Sequence, residues 1–119
     1  MRYLSTRGGP AVSGAQAILD GAAPDGGLYL PEQVPDLTGL LEGEYSYAQL
    51  AARVLAAFFP DFGEKAMEKL AKEAYAGFAP AEVVPLSRVG EDYALELFHG
   101  PTAAFKDLAL QALPRLMAL

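Results

Sequence analysis

The clearest periodic signal in the chain runs from Met67 to Tyr75. Met67, Leu70, Ala71, Ala74 and Tyr75 recur at helical spacing and predict a helix with one buried stripe. Glu64, Lys65, Glu68, Lys69, Lys72 and Glu73 fall on the other side, and mixed charges in that pattern read as a solvated face. A second amphipathic helix precedes it. Ser46-Tyr47-Ala48-Gln49 has the form of a capping box, with Tyr45 and Leu50 placed as a hydrophobic staple. Tyr47, Leu50, Ala51, Val54, Leu55 and Phe58 form its apolar face, and Pro60 ends it. Asp61 is the candidate cap of the helix that follows.

Shorter elements flank this pair. Arg2 to Thr6 reads as a strand ended by Gly8-Gly9-Pro10, and Ser13 to Gln16 as another capping box opening a helix over Gly14 to Asp20. Asp25-Gly26-Gly27 predicts a turn and Leu28 to Leu30 a strand closed by Pro31; Leu37 to Leu41 allows one helical turn. Gly77 to Pro85 reads as a linker, Arg88 to Asp92 as a turn and Tyr93 to Phe98 as a strand that breaks at Gly100-Pro101. The last helix, from about Thr102, is apolar on nearly every side and should be buried, with Pro114 kinking or ending it near Leu110 to Leu113. These elements predict an α+β, helix-rich fold.

Composition narrows the function classes. The 119 residues carry a net charge of -6 and no Lys/Arg cluster, which argues against nucleic acid as a partner. There is no cysteine and only one histidine, so neither a disulfide framework nor a metal site is expected. Nothing reads as a signal peptide or a membrane span, and a cytoplasmic location is expected. The apolar fraction of 52% is high for so short a chain, so part of that surface is expected to seek a partner or a second copy.

Chemistry is concentrated between the last strand and the last helix. Lys106 falls in the first turn of an apolar helix, where free backbone N–H groups and partial removal from water both favour a neutral amine. Such an amine can attack an aldehyde to form a Schiff base, although spacing alone is equally met by a snorkelling helix lysine. Thr102 after Gly100-Pro101 can present donors to an anion or simply cap the helix. Ser5, Thr6 and Arg7 form a polar, cationic cluster that fits either a substrate phosphate or an exposed turn. His99 reads as a satisfied structural histidine rather than a reactive one, and Asp107 as an acid suited to a helix first turn.

The run Glu96-Leu97-Phe98-His99-Gly100-Pro101-Thr102-Ala103-Ala104-Phe105-Lys106-Asp107 resembles, without a gap, the pyridoxal-phosphate lysine motif of the threonine synthase family. Tyr3-Leu4-Ser5-Thr6-Arg7-Gly8-Gly9 and Pro24-Asp25-Gly26-Gly27-Leu28-Tyr29-Leu30-Pro31 are similar to the opening of the same family. The resemblance implies the N-terminal part of a two-domain fold type II enzyme, with residues 1–79 as the family's N-terminal domain and 80–119 as the start of the catalytic domain. It implies pyridoxal 5'-phosphate as cofactor and Lys106 as the residue that holds it, then moves protons as O-phosphohomoserine and water become threonine and phosphate. It leaves Phe105 packing against the cofactor or the core, and Thr102, Ser5, Thr6 and Arg7 as candidates for the substrate. The family's phosphate loop and ring contacts would lie downstream, so these residues alone are expected to be inactive. A stand-alone interaction module that docks through its apolar last helix is the alternative.

Overall fold

The computed structural model describes the backbone of residues 1–119 and every side chain but that of Leu41. Strand β1 (Arg2–Ser5) pairs antiparallel with β2 (Val12–Ser13) on one side and β3 (Tyr29–Pro31) on the other, in the order β2-β1-β3. Alternation along β1 turns Tyr3 and Ser5 inward while Arg2 and Leu4 face out. Tyr3 stacks on Phe59 with ring centres 5.5 Å apart, and its hydroxyl donates to the Phe58 carbonyl at 2.7 Å. That bond ties the small sheet to the helices.

Helix α1 (Gly14–Asp20) lies between the first strands, and only half of its expected capping box forms. Ser13 Oγ accepts the Gln16 N–H at 3.1 Å, but the Gln16 amide donates forward to Asp20 at 2.6 Å instead of reaching back. A 3-10 turn follows at Thr38–Glu42. At α2 (Tyr47–Phe58) the box is complete: Gln49 N–H donates to Ser46 Oγ and Ser46 N–H donates to the Gln49 side chain. A 3-10 turn over Pro60–Phe62 folds the chain back into α3 (Glu64–Tyr75). Asp61 does not cap α3. Gly63 holds that position without a side-chain cap, and Asp61 instead takes the N-terminal ammonium of Met1 at 3.2 Å.

The core sits between α2, α3 and the last helix. The α3 stripe is buried as the pattern requires, with Met67 and Ala71 fully enclosed beside Leu70 and Ala74. On α2 the buried face is rotated from the expected one: Ala52 is buried while Leu50 stays 39% exposed. Ala48, Ala51, Leu55 and Ala56 pack around Ala52 in that contact, so Ala51 and Leu55 of the expected face take part while the small alanines let the α3 stripe come close.

The expected linker leads into a hairpin. Strand β4 (Leu86–Val89) pairs antiparallel with β5 (Asp92–Leu95) across a loop of two residues, Gly90-Glu91. Gly90 has φ +64°, and glycine at the first loop position is what a tight primed hairpin turn requires. The single strand expected over Tyr93 to Phe98 is therefore one arm of this pair, starting at Asp92 and ending at Leu95. The expected long last helix is two short ones, α4 (Asp107–Leu110) and α5 (Leu113–Met117), separated where Pro114 denies a helical N–H. From α5, Leu116 enters the core cluster, joined by Ala112 just before it. No helix is long and apolar enough to cross a membrane among the described residues.

Candidate active site on the lysine-bearing turn

Between β5 and α4 the motif residues form a closed loop rather than the start of a helix. Thr102 to Lys106 are turns, and regular α-helix begins only at Asp107. Two bonds shape the loop from within: Ala103 N–H donates to the Gly100 carbonyl at 3.1 Å and Asp107 N–H to the Ala104 carbonyl at 3.0 Å. Ala103 has φ +56°, a left-handed conformation that costs a non-glycine residue about 1–2 kcal/mol and persists only where the surroundings enforce it.

The enforcing group is Asp107, a carboxylate only 2% exposed. Its Oδ2 accepts the Thr102 N–H at 2.8 Å and its Oδ1 accepts the Thr102 hydroxyl at 2.7 Å. The Thr102 hydroxyl foremost, with the backbone N–H groups, holds the Asp107 carboxyl below its ordinary range, against the opposing effect of burial. Gly100 belongs to the same arrangement, since a Cβ there would stand 2.5 Å from Asp107. Both donors of Thr102 are thereby committed inside the loop, so its hydroxyl has only lone pairs to offer a ligand. Thr102 does not cap α4.

Lys106 and Phe105 project from this loop into solvent. Lys106 is exposed, with no hydrogen bond or ion pair to its side chain among the described residues. The expected partial burial of Lys106 does not occur here because the residues of α4 nearest it, Ala109 and Leu110, are themselves exposed. Phe105 is 64% exposed and takes no part in the core. Behind the loop, Tyr75 of α3 donates to the Leu108 carbonyl at 3.1 Å and so anchors α4 to the helical pair. Burial, then the neighbouring Tyr47, pushes the Tyr75 hydroxyl up to about 12.

His99 has the structural role expected of it. Its Nε2 lies 2.5 Å from Glu96 Oε2, and the other oxygen of Glu96 accepts the Ser87 hydroxyl from β4. Those contacts, with Ser87 the larger, lower the Glu96 carboxyl.

Ser5, Thr6 and Arg7 are gathered in a separate turn. Ser5 Oγ donates to Asp25 at 2.7 Å, while Gly27 N–H and Gly9 N–H donate to the same carboxylate at 2.8 and 3.1 Å. Thr6 Oγ1 accepts the Leu28 N–H at 3.0 Å, and the Arg7 guanidinium donates to the Asp25 carbonyl at 3.3 Å. No hydrogen bond or ion pair joins this turn to the lysine loop among the described residues. Asp25 thus closes the turn that Asp25-Gly26-Gly27 predicts, and its carboxylate also gathers Ser5 and Gly9, which the local pattern does not announce.

This α+β arrangement, with a strand-turn-helix that carries one exposed lysine, has the architecture of the N-terminal part of fold type II pyridoxal-phosphate enzymes. It superposes on the pyridoxal-phosphate-bound threonine synthase of Brucella melitensis with a TM-score of 0.90 and 43% identity, covering 98% of this chain and 26% of that one. The threonine synthase of Pseudomonas aeruginosa is 46% identical over 98% of this chain and 26% of its own length, and that of Schizosaccharomyces pombe 40% over 96% and 24%. The family model for the threonine synthase N terminus matches residues 2–75. The chain belongs to the threonine synthase family. It spans about a quarter of the length of the curated relatives it matches.

Proposed function

We propose that these residues form the front portion of a threonine synthase, a pyridoxal-phosphate-dependent lyase that converts O-phosphohomoserine and water to threonine and phosphate. The observation that carries this reading is the unbroken motif ending in an accessible, unpartnered Lys106 on a loop of fixed shape. When bound, pyridoxal phosphate supplies the electron sink for the chemistry at the substrate's carbon chain. The residues present fit its aldehyde end, since Lys106 Nζ is open to a carbonyl, and Phe105 beside it offers an apolar surface. They do not supply a phosphate cradle or a partner for the pyridine nitrogen, which we assign to the rest of a polypeptide of family length. On this reading Lys106 Nζ holds the cofactor and, once substrate displaces it, takes and returns protons as a general acid/base.

The same reading divides the chain into residues 1–79, the family's N-terminal domain, and 80–119, the start of the catalytic domain. It places the protein in the cytoplasm and leaves substrate contacts to Ser5, Thr6 and Arg7, with Thr102 able to contribute only as an acceptor. The apolar residues left exposed on and just after the last helices, Leu110, Leu113, Met117 and Leu119, support self-association of the isolated chain. The test is phosphate release from O-phosphohomoserine. A polypeptide of family length should release it and lose that activity in Lys106→Ala, whereas the 119 residues alone should be inactive. Full activity in the Lys106→Ala protein would refute the assignment.

A further inference from the structure

Asp107 is the most buried charged group in the chain, and the lysine chemistry does not use it. It lies one residue after Lys106, yet both of its oxygens are turned back onto Thr102, five residues earlier. Its side chain also occupies the space that any Cβ at Gly100 would need. One carboxylate thus closes the loop at both ends, and the left-handed Ala103 shows that the backbone within is held against its own preference. Lys106 stands next to the closure point, and no hydrogen bond or ion pair fixes its side chain among the described residues.

We propose that Asp107 is a positioning residue. By holding both donors of Thr102 and packing against Gly100, it sets the backbone from which Lys106 is presented. This rests on the reading of Lys106 as the cofactor lysine. Side-chain chemistry predicts how substitutions rank. Asp107→Ala removes both acceptors. Gly100→Ala leaves the carboxylate and its charge in place but drives it off the loop. Thr102→Ser keeps both donors, so the clamp on Asp107 should hold as in the parent. Asp107→Asn keeps one acceptor for the Thr102 N–H and can donate to its hydroxyl, so it should fall between.

Two measurements separate this role from a merely structural one. Amide hydrogen exchange on the 119-residue chain needs no cofactor. Losing the clamp should speed exchange at Thr102 about tenfold in Asp107→Ala and Gly100→Ala, with α3 amides unchanged and Thr102→Ser at the parent rate. Unchanged exchange at Thr102 in Asp107→Ala overturns the proposal. In a polypeptide of family length loaded with pyridoxal phosphate, the visible circular dichroism of the cofactor reports its fixed orientation on Lys106. That band should weaken in Asp107→Ala and Gly100→Ala and persist in Thr102→Ser. A band of parent strength in Asp107→Ala would show that Asp107 does not position the lysine. A Lys106→Ala protein that kept the band would instead refute the assignment of Lys106, while the exchange result would still decide the clamp.

Discussion

The α2–α3 pair and the β4–β5 hairpin contain similar kinds of apolar residue and treat them in opposite ways. Along α3, Met67, Leu70, Ala71 and Ala74 are all buried against α2 and α5. In the hairpin no residue is buried, and Leu86, Val89, Tyr93 and Leu95 are each more than half exposed, as is Phe98 just after it. An isolated two-stranded hairpin is marginal in water, and the side-chain bonds that brace this one are those of Ser87, Glu96 and His99. The helical half is complete within these residues. The motif-bearing half leaves most of its apolar residues exposed.

The contrast is broken most directly at Met67. Removing a fully enclosed side chain leaves a cavity, so Met67→Ala should destabilise the chain by about 2–5 kcal/mol in urea unfolding. Leu95→Ala, with its side chain already in water, should change the same midpoint by less than about 0.5 kcal/mol. Equal effects would mean that the hairpin is packed in solution.

Acid should act on the turns before it acts on the helices. Glu96 and Asp25 lie below their ordinary values of 4.5 and 3.8, lowered chiefly by the hydroxyls of Ser87 and Ser5 respectively. A carboxylate lowered in the folded state contributes stability that is fully present above its ordinary value and is lost as pH falls through its folded value. Protection of the amides, taken relative to their intrinsic exchange rate at each pH below about 5, should therefore fall first around Gly9, Gly27 and the hairpin, with α3 protected longest. A uniform loss of protection across all elements would remove the distinction between the halves.

The smallest effect compares two helix starts of the same sequence type. Ser46→Ala should cost about 1 kcal/mol because it dismantles a complete box. Ser13→Ala should cost less, since Gln16 already bonds to Asp20 and loses nothing. Thermal unfolding of the two variants gives the ranking.

Much of the helical half was legible in the sequence because periodicity and caps act locally. Ser46, Pro60 and the α3 stripe mark their elements without reference to anything distant. The face of α2 was only partly legible: Ala51 and Leu55 of the expected stripe do pack on the core, but Ala48, Ala52 and Ala56 have too little apolar area to stand out beside Leu50 and Val54. Asp61 was misread for a related reason, since an acid ahead of a helix is a cap by type but was claimed by the N-terminal ammonium across the fold. In the candidate site, Lys106 stood out through its motif, whereas Asp107 did not. A charged residue at a helix start is commonplace, and nothing local indicates that it will fold back onto Thr102 and become buried. Strand β4 was hidden because Leu86 and Ser87 follow directly on the Gly77 to Pro85 linker and Arg88 to Asp92 reads as a turn, although only Gly90-Glu91 is the loop of the hairpin.

Leu116 carries a mechanical consequence. It belongs to the segment after the hairpin but is 5% exposed, seated with Ala112 in the cluster built on α2 and α3. A rotation of residues 80–119 against residues 1–79 would have to withdraw that side chain and open the core. The two segments are thus geared together: a load applied to the lysine loop passes through α4 and α5 directly into α3, with Tyr75 as a second strut on the Leu108 carbonyl. The segment that carries Lys106 is thus moored to the helical pair at two points, Leu116 in the core and the Leu108 carbonyl on Tyr75.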